Sequence, residues 1–253
     1  MVTRALALVM APLERLWALA AVMLVWHVYA VIQGFNRIVL PTPLSVLANI
    51  VEEWPLYAPK LALTMTVAIA GLILGAALGA LGAIAAWISR IASAFVATSA
   101  LVVRSVPFVV FIPILSRMMG YNVTMEITIV ALLSFFPSFV LVSSGLSALP
   151  PSALDVSRAF GATTIKRLIY IALPISLTNL VAALRLSAAR VVLGAMVAEF
   201  LTGLDGLGSV FLLARADLES ERALGAAVIA AAAALILVQV GEALERWMNR
   251  RMT

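Results

Sequence analysis

At 253 residues the chain is long enough for one large soluble domain, but 64% of it is hydrophobic, only 11% is charged, and the mean hydropathy is +1.13. Soluble domains run at about 45–50% apolar and about 25% charged, so too few charges remain to cover a soluble surface, and the length reads as several bilayer spans. The absence of cysteine excludes a disulfide framework, a thiolate metal site and a cysteine nucleophile. The lone histidine, His27, removes most metal and acid–base options as well. The net charge of +5 comes from Arg and Lys placed mostly at the ends of apolar runs, which is a signal of topology and not of nucleic-acid binding.

Apolar runs occupy residues 16–32, 61–88, 95–115, 127–149, 175–198 and 223–241. Each supplies about 20 residues, enough for a helix to cross roughly 30 Å of hydrocarbon, and helices are required because backbone polar groups in lipid must be satisfied within their own segment. The first run comes after Arg4 and Arg15, no A-x-A cleavage site follows it and more apolar runs come after it, so it is read as an uncleaved span. With an even number of spans both termini share one side. Nine Lys and Arg residues then fall on that side against five on the other, which predicts N-in and C-in.

Between the first two spans, Leu40-Pro41-Thr42-Pro43 precedes a short helical pattern over 44–53, bounded by Trp54-Pro55 and placed at the outer interface. Gly71, Gly75 and Gly79 in the second span share one helical face and admit close approach of another helix. Pro107, Pro113 and Pro137 are expected to kink spans three and four. Glu126 begins span four, where a helix N-terminus favours an anion.

The long polar segment 150–170 is an ordered unit. Pro150-Pro151 stops span four, and Ser152 with Asp155 three residues later fits a helix cap. Gly161 suits the left-handed turn that ends such a helix. Thr163 or Thr164 is placed to cap a second short helix, and Leu173-Pro174 marks the start of span five.

Gly161, nine residues, then Ile171-Ala172-Leu173-Pro174 resembles the G-x9-I-x-L-P core of the EAA loop in permease subunits of ABC importers. The three residues at the family's Glu-Ala-Ala position are here Asp155-Val156-Ser157, keeping the acid in kind and the small residues in part. Leu40-Pro41-Thr42-Pro43, Phe135-Phe136-Pro137, and Ala198-Glu199-Phe200 followed by Gly206-Leu207-Gly208 resemble elements of the nitrate/sulfonate/taurine branch.

The resemblance implies an all-α membrane fold of the type I importer permease class, with six transmembrane helices in a single domain. Residues 1–59 form the first span and outer interfacial segment, and 60–246 form a five-span core. Residues 150–174 form the cytoplasmic coupling loop between helices four and five. It further implies that Asp155, Ser157, Gly161, Ala162, Lys166, Leu173 and Pro174 couple to an ABC ATPase dimer. The other implied partners are a second permease copy or close relative and an extracytoplasmic solute-binding protein. ATP and Mg are expected on the ATPase, with no cofactor or metal on this chain and no catalytic residues. Neither Lys60 nor Lys166 sits in the GK[ST] ending of a phosphate-binding loop. The Gly203–Gly208 stretch follows a membrane helix and lacks the βαβ unit of a dinucleotide site.

The charges inside apolar runs are the candidates for a pathway: Arg104, Arg185, Arg190 and Glu199. An arginine at a helix centre costs about 2.5–3.5 kcal/mol on insertion scales and is expected to face protein or water. Arg104 and Arg185 read best as residues near the cytoplasmic helix ends that snorkel or pair. For Arg190, packing and pathway readings stand level. Arg185 and Arg190 are five residues apart, about 140° around a helix, so they do not both point squarely into one pore. Glu199 reads either as a partner for an arginine of a docking protein or neighbouring helix, or as an interfacial acid in solvent. A gradient-driven transporter needs intramembrane acids, which the interiors of spans two to four and six lack. The lone histidine, the missing cysteine and the absence of a paired-carboxylate site argue against an intramembrane enzyme.

Overall fold

The computed structural model describes residues 17, 20–148, 157 and 159–252. Among these, all regular elements are helical. Helix α1 (Ala20–Ile32) is tied to the following turn by the Trp26 ring N–H, which donates to the Pro41 carbonyl at 3.0 Å. Thr42 caps α2 (Pro43–Glu52), its hydroxyl accepting the Ser45 N–H at 3.3 Å. Pro43 occupies the first turn, where a missing N–H costs nothing.

Helix α3 (Trp54–Ile88) begins one residue after α2, earlier than the expected start at residue 61. Pro55 falls in its first turn and is compatible with helix there, so the polar stretch ahead of the apolar run is helical too. Helix α6 (Val123–Ser147) packs along α3 on the glycine face. A Cβ on Gly71 would lie 2.5 Å from Val130 Cβ, one on Gly79 2.5 Å from the Phe135 carbonyl oxygen, and one on Gly75 would overlap the Ala131 carbonyl. Only glycine lets the two backbones approach this closely. The Ser134 hydroxyl sits in the seam and donates to the Gly71 carbonyl at 3.1 Å.

The expected third span is broken, not kinked. Helix α4 (Arg90–Ser105) ends before Val106, which is extended at φ −93°, ψ 127° because the residue before a proline avoids helical dihedrals. After Pro107 come a short 3₁₀ turn, Phe108–Val110, and α5 (Phe111–Met119). Pro113 lies in the first turn of α5, where it is tolerated. Pro137 stays inside an unbroken α6.

Helix α7 (Thr164–Thr202) is one continuous helical segment with a π-helical insert at Leu168–Ala172. It is followed by α8 (Leu207–Ala216) and α9 (Ser220–Met252). Among the described residues, four helices are long and apolar enough to cross a membrane: Trp54–Ile88, Val123–Ser147, Thr164–Thr202 and Ser220–Arg250. Their apolar contacts stack as layers. Val67, Ala68, Leu72, Val130, Val191, Val192 and Ala195 join α3, α6 and α7 at mid-height. Tyr57, Leu207, Ala226 and Ala230 close one end, and Ala83, Phe139, Leu146, Leu168 and Ala172 close the other.

Candidate functional site

The break at Pro107 opens a groove. Val106, Pro107, Phe108 and Phe111 form one wall, Phe136, Pro137 and Val140 of α6 a second, and Leu186 and Arg190 of α7 the third, around a cavity of about 480 Å³. Among the described residues that line it, Arg190 is the one charged side chain. It is exposed and has no ion-pair partner among the described residues, so its guanidinium offers a fork of donors at the edge of an apolar, aromatic groove, a composition common in small-molecule sites.

Arg185, about 140° away on the same helix, turns to α9. Its guanidinium donates to Glu245 Oε2 at 2.7 Å, and Gly241 leaves room for its backbone and stem to pack. The structure thus separates the two arginines, one paired on a helix–helix contact and one alone in the groove. Arg104 falls in α4, with its side chain outside the described residues.

Glu199 lies neither in solvent nor against an arginine. It is fully buried, and Oε2 accepts the Thr64 hydroxyl at 2.9 Å and the Gly208 N–H at 2.8 Å. Thr64 in turn accepts the Leu207 N–H at 2.9 Å. The carboxyl therefore ties α3 to the first turn of α8, satisfying N–H groups that a helix start leaves orphaned. Gly206 and Gly208 are required because a Cβ on either would collide with Glu199 or the backbone around Met196. This corrects the expectation of an interfacial acid. Glu126 is likewise buried, in the first turn of α6.

At the opposite end, the polar segment has the predicted turn. Gly161 adopts φ +66°, and the Ala162 N–H reaches back to the Ser157 carbonyl at 2.9 Å, the six-to-one bond of a helix stop built on a left-handed glycine. Thr163, of the two candidates, caps the next helical turn through the Lys166 N–H at 3.3 Å. Asp155 and the expected Ser152 cap lie outside the described residues, whereas Ser157 is buried. Lys166 and Pro174 are exposed, and Leu173 is half-buried. The expected boundary at Leu173-Pro174 falls where π-helical geometry gives way to regular α-helix within the continuous segment α7. The π-helical turn at Leu168–Ala172 precedes Pro174, whose position in the first turn of the following α-helical stretch avoids the clash proline makes in a helix interior.

Residues 78–253 match the family described as "Binding-protein-dependent transport system inner membrane component". The chain belongs to this family. It is an ABC importer permease and a multi-pass protein of the bacterial inner membrane. It is 24% identical over 225 residues to a probable ABC transporter permease protein of Haemophilus influenzae, covering 89% of this chain and 92% of that one. It is 25% identical over 237 residues to a putative aliphatic sulfonates transport permease of Bacillus subtilis, covering 91% and 86%. The latter match agrees with the nitrate/sulfonate/taurine-type resemblance. The fold is similar to that of an amino acid ABC transporter solved by crystallography, with TM-score 0.63 at 19% identity over 81% of this permease and 97% of that chain.

Several residues that build the permease escape sequence reasoning. Thr64 carries no local signal for its role beneath Glu199, because the two are 135 positions apart. Arg222 binds Glu53 through two contacts, 2.6 and 2.8 Å, across 169 positions of sequence. The Trp87 ring N–H, which donates to the Leu146 carbonyl at 3.0 Å, is equally non-local.

Proposed function

We propose that this permease passes a small anionic solute, such as a sulfonate, nitrate or carboxylate, through the Arg190 groove. In this reading six spans run N-in and C-in, with the broken α4–α5 pair counted as span three. A second copy or close relative completes the pathway, and an extracytoplasmic binding protein delivers the solute. ATP and Mg are bound and turned over by a separate ATPase dimer that grips the 150–174 segment. The exposed Phe160, Ile165 and Tyr170 around Gly161 support that docking role, since aromatic and aliphatic anchors dominate protein–protein contacts. Closure of the ATPase pair then moves the Gly161 turn as a rigid body and rocks α7 against α5 and α6.

The observation that carries the choice of solute is Arg190, the one charged side chain among the described residues that line the groove. A hydrogen bond to a charged group contributes about 1.5–3 kcal/mol. Arg190→Gln is therefore expected to lower uptake of the cognate solute by about ten- to a hundredfold in proteoliposomes containing the assembled transporter. Arg185→Gln, whose parent side chain is committed to Glu245, leaves uptake near the parent level. Equal uptake in the Arg190→Gln and parent transporters overturns the assignment.

A further inference from the structure

A second cavity of about 300 Å³ adjoins the groove, and Val140 lines both. Trp87 at the end of α3, Ser93 at the start of α4, and Phe139, Ser143 and Ser147 on α6 form its other walls. Phe136, Val140, Ser143 and Ser147 follow one another at four-, three- and four-residue spacing, so they make a single stripe on α6. At about 1.5 Å per residue the stripe runs about 16 Å, from the Arg190 groove to the helix end beside the coupling segment.

The chemistry changes along that stripe. The described residues that line the second cavity are uncharged. Ser93, Ser143 and the exposed Ser147 line it, and Ser143 Oγ is buried without a hydrogen-bond partner. Serine in a helix commonly bonds back to a carbonyl on the preceding turn; Ser143 does not, and a buried donor left without an acceptor is costly. The Trp87 ring N–H is already committed to Leu146, so the indole contributes a wall and the free donors are hydroxyls.

We propose that this pocket is a second, weaker station for the oxyanion head of the transported solute, separated from the Arg190 groove by Val140. The inference rests on the groove reading above. Arginine offers a full opposite charge and a bidentate fork that hydroxyls lack. Transfer from Arg190 to Ser93, Ser143 and Ser147 is therefore a step from tighter to looser binding, toward the helix ends from which the coupling segment emerges. Val140 is the side chain the solute must pass.

The chain has no cysteine, so Ser147→Cys places a single reporter thiol in the pocket of the assembled transporter in inside-out vesicles. Its labelling by the anionic 2-sulfonatoethyl methanethiosulfonate and by the cationic trimethylammonioethyl analogue is measured, each rate divided by that with a free thiol. The sulfonate reagent is expected to be favoured by about fivefold, falling to within about twofold when Ser93→Ala and Ser143→Ala are added. No sulfonate preference, or one that the two alanines leave unchanged, overturns the second station. Leu186→Cys reads the groove separately, and its sulfonate preference is expected to vanish with Arg190→Gln. Preference at Leu186 without preference at Ser147 overturns the second station and leaves the groove standing. Preference at Ser147 without preference at Leu186 upholds the hydroxyl site and overturns the groove.

Discussion

Replacing Gly161 tests whether the coupling turn is read by a partner as a preformed shape. A Cβ at this position would meet nothing within 4 Å, so substitution introduces no clash within the chain. The cost is conformational: at φ +66° an ordinary L residue is disfavoured by about 1–2 kcal/mol. Since about 1.4 kcal/mol is a factor of ten, Gly161→Ala should weaken binding of the ATPase by about five- to thirtyfold. Gly161→Asn, which tolerates the left-handed region, should stay within about threefold of the parent. Gly161→Val, β-branched, should be at least as weak as alanine. The assay is the affinity of purified ATPase for the permease in nanodiscs, with solute-stimulated ATP hydrolysis measured alongside. Parent-like affinity in the alanine variant refutes the reasoning. Equal weakening by alanine and asparagine refutes it differently, by showing that the partner rejects any side chain there irrespective of φ.

Glu199→Ala removes the acceptor for the buried Gly208 N–H and should lower stability by about 1–3 kcal/mol, read as a lower Tm in detergent, whereas Glu199→Gln retains an acceptor oxygen and recovers most of the loss; an unchanged Tm in the alanine variant contradicts the anchoring role. Glu53 lies outside the spans, and the hydrogen bond from Arg222 holds its carboxyl below the ordinary value of 4.5. The lowered folded-state value means that the pair stabilises the fold above pH 4.5 and that this contribution is lost as pH falls through the lower folded value. Acidification over that window should therefore depress the parent's Tm more than that of Glu53→Gln; parallel pH profiles count against the pair.

What was legible in the sequence was local or periodic. The Gly161 turn and the Thr163 cap follow from residue type and short spacing, and the Gly71, Gly75 and Gly79 face follows from helical periodicity. Pro107 announced a disturbance, but whether a proline kinks or breaks a membrane helix depends on which neighbours re-satisfy the backbone, and hydropathy averages across the break. Pro137, in a helix packed on α3, leaves no break at all. The arginines were ambiguous for a related reason. Five residues of separation showed that Arg185 and Arg190 diverge, while only the placement of α9, with Glu245, assigns one to an ion pair and leaves the other in the groove. The surroundings of Glu199 are not legible locally, because they are made by Thr64 on α3 and the start of α8. A glutamate near the end of an apolar run resembles an interfacial acid until that tertiary contact is known.

The central claim is that this chain forms a solute pathway powered by a different polypeptide. Uptake into proteoliposomes, measured for the permease alone and with its ATPase and binding protein, tests it most directly. The account predicts accumulation only with all components and internal ATP, and none for the permease alone under an imposed ion gradient. Gradient-driven accumulation by the permease alone would contradict it.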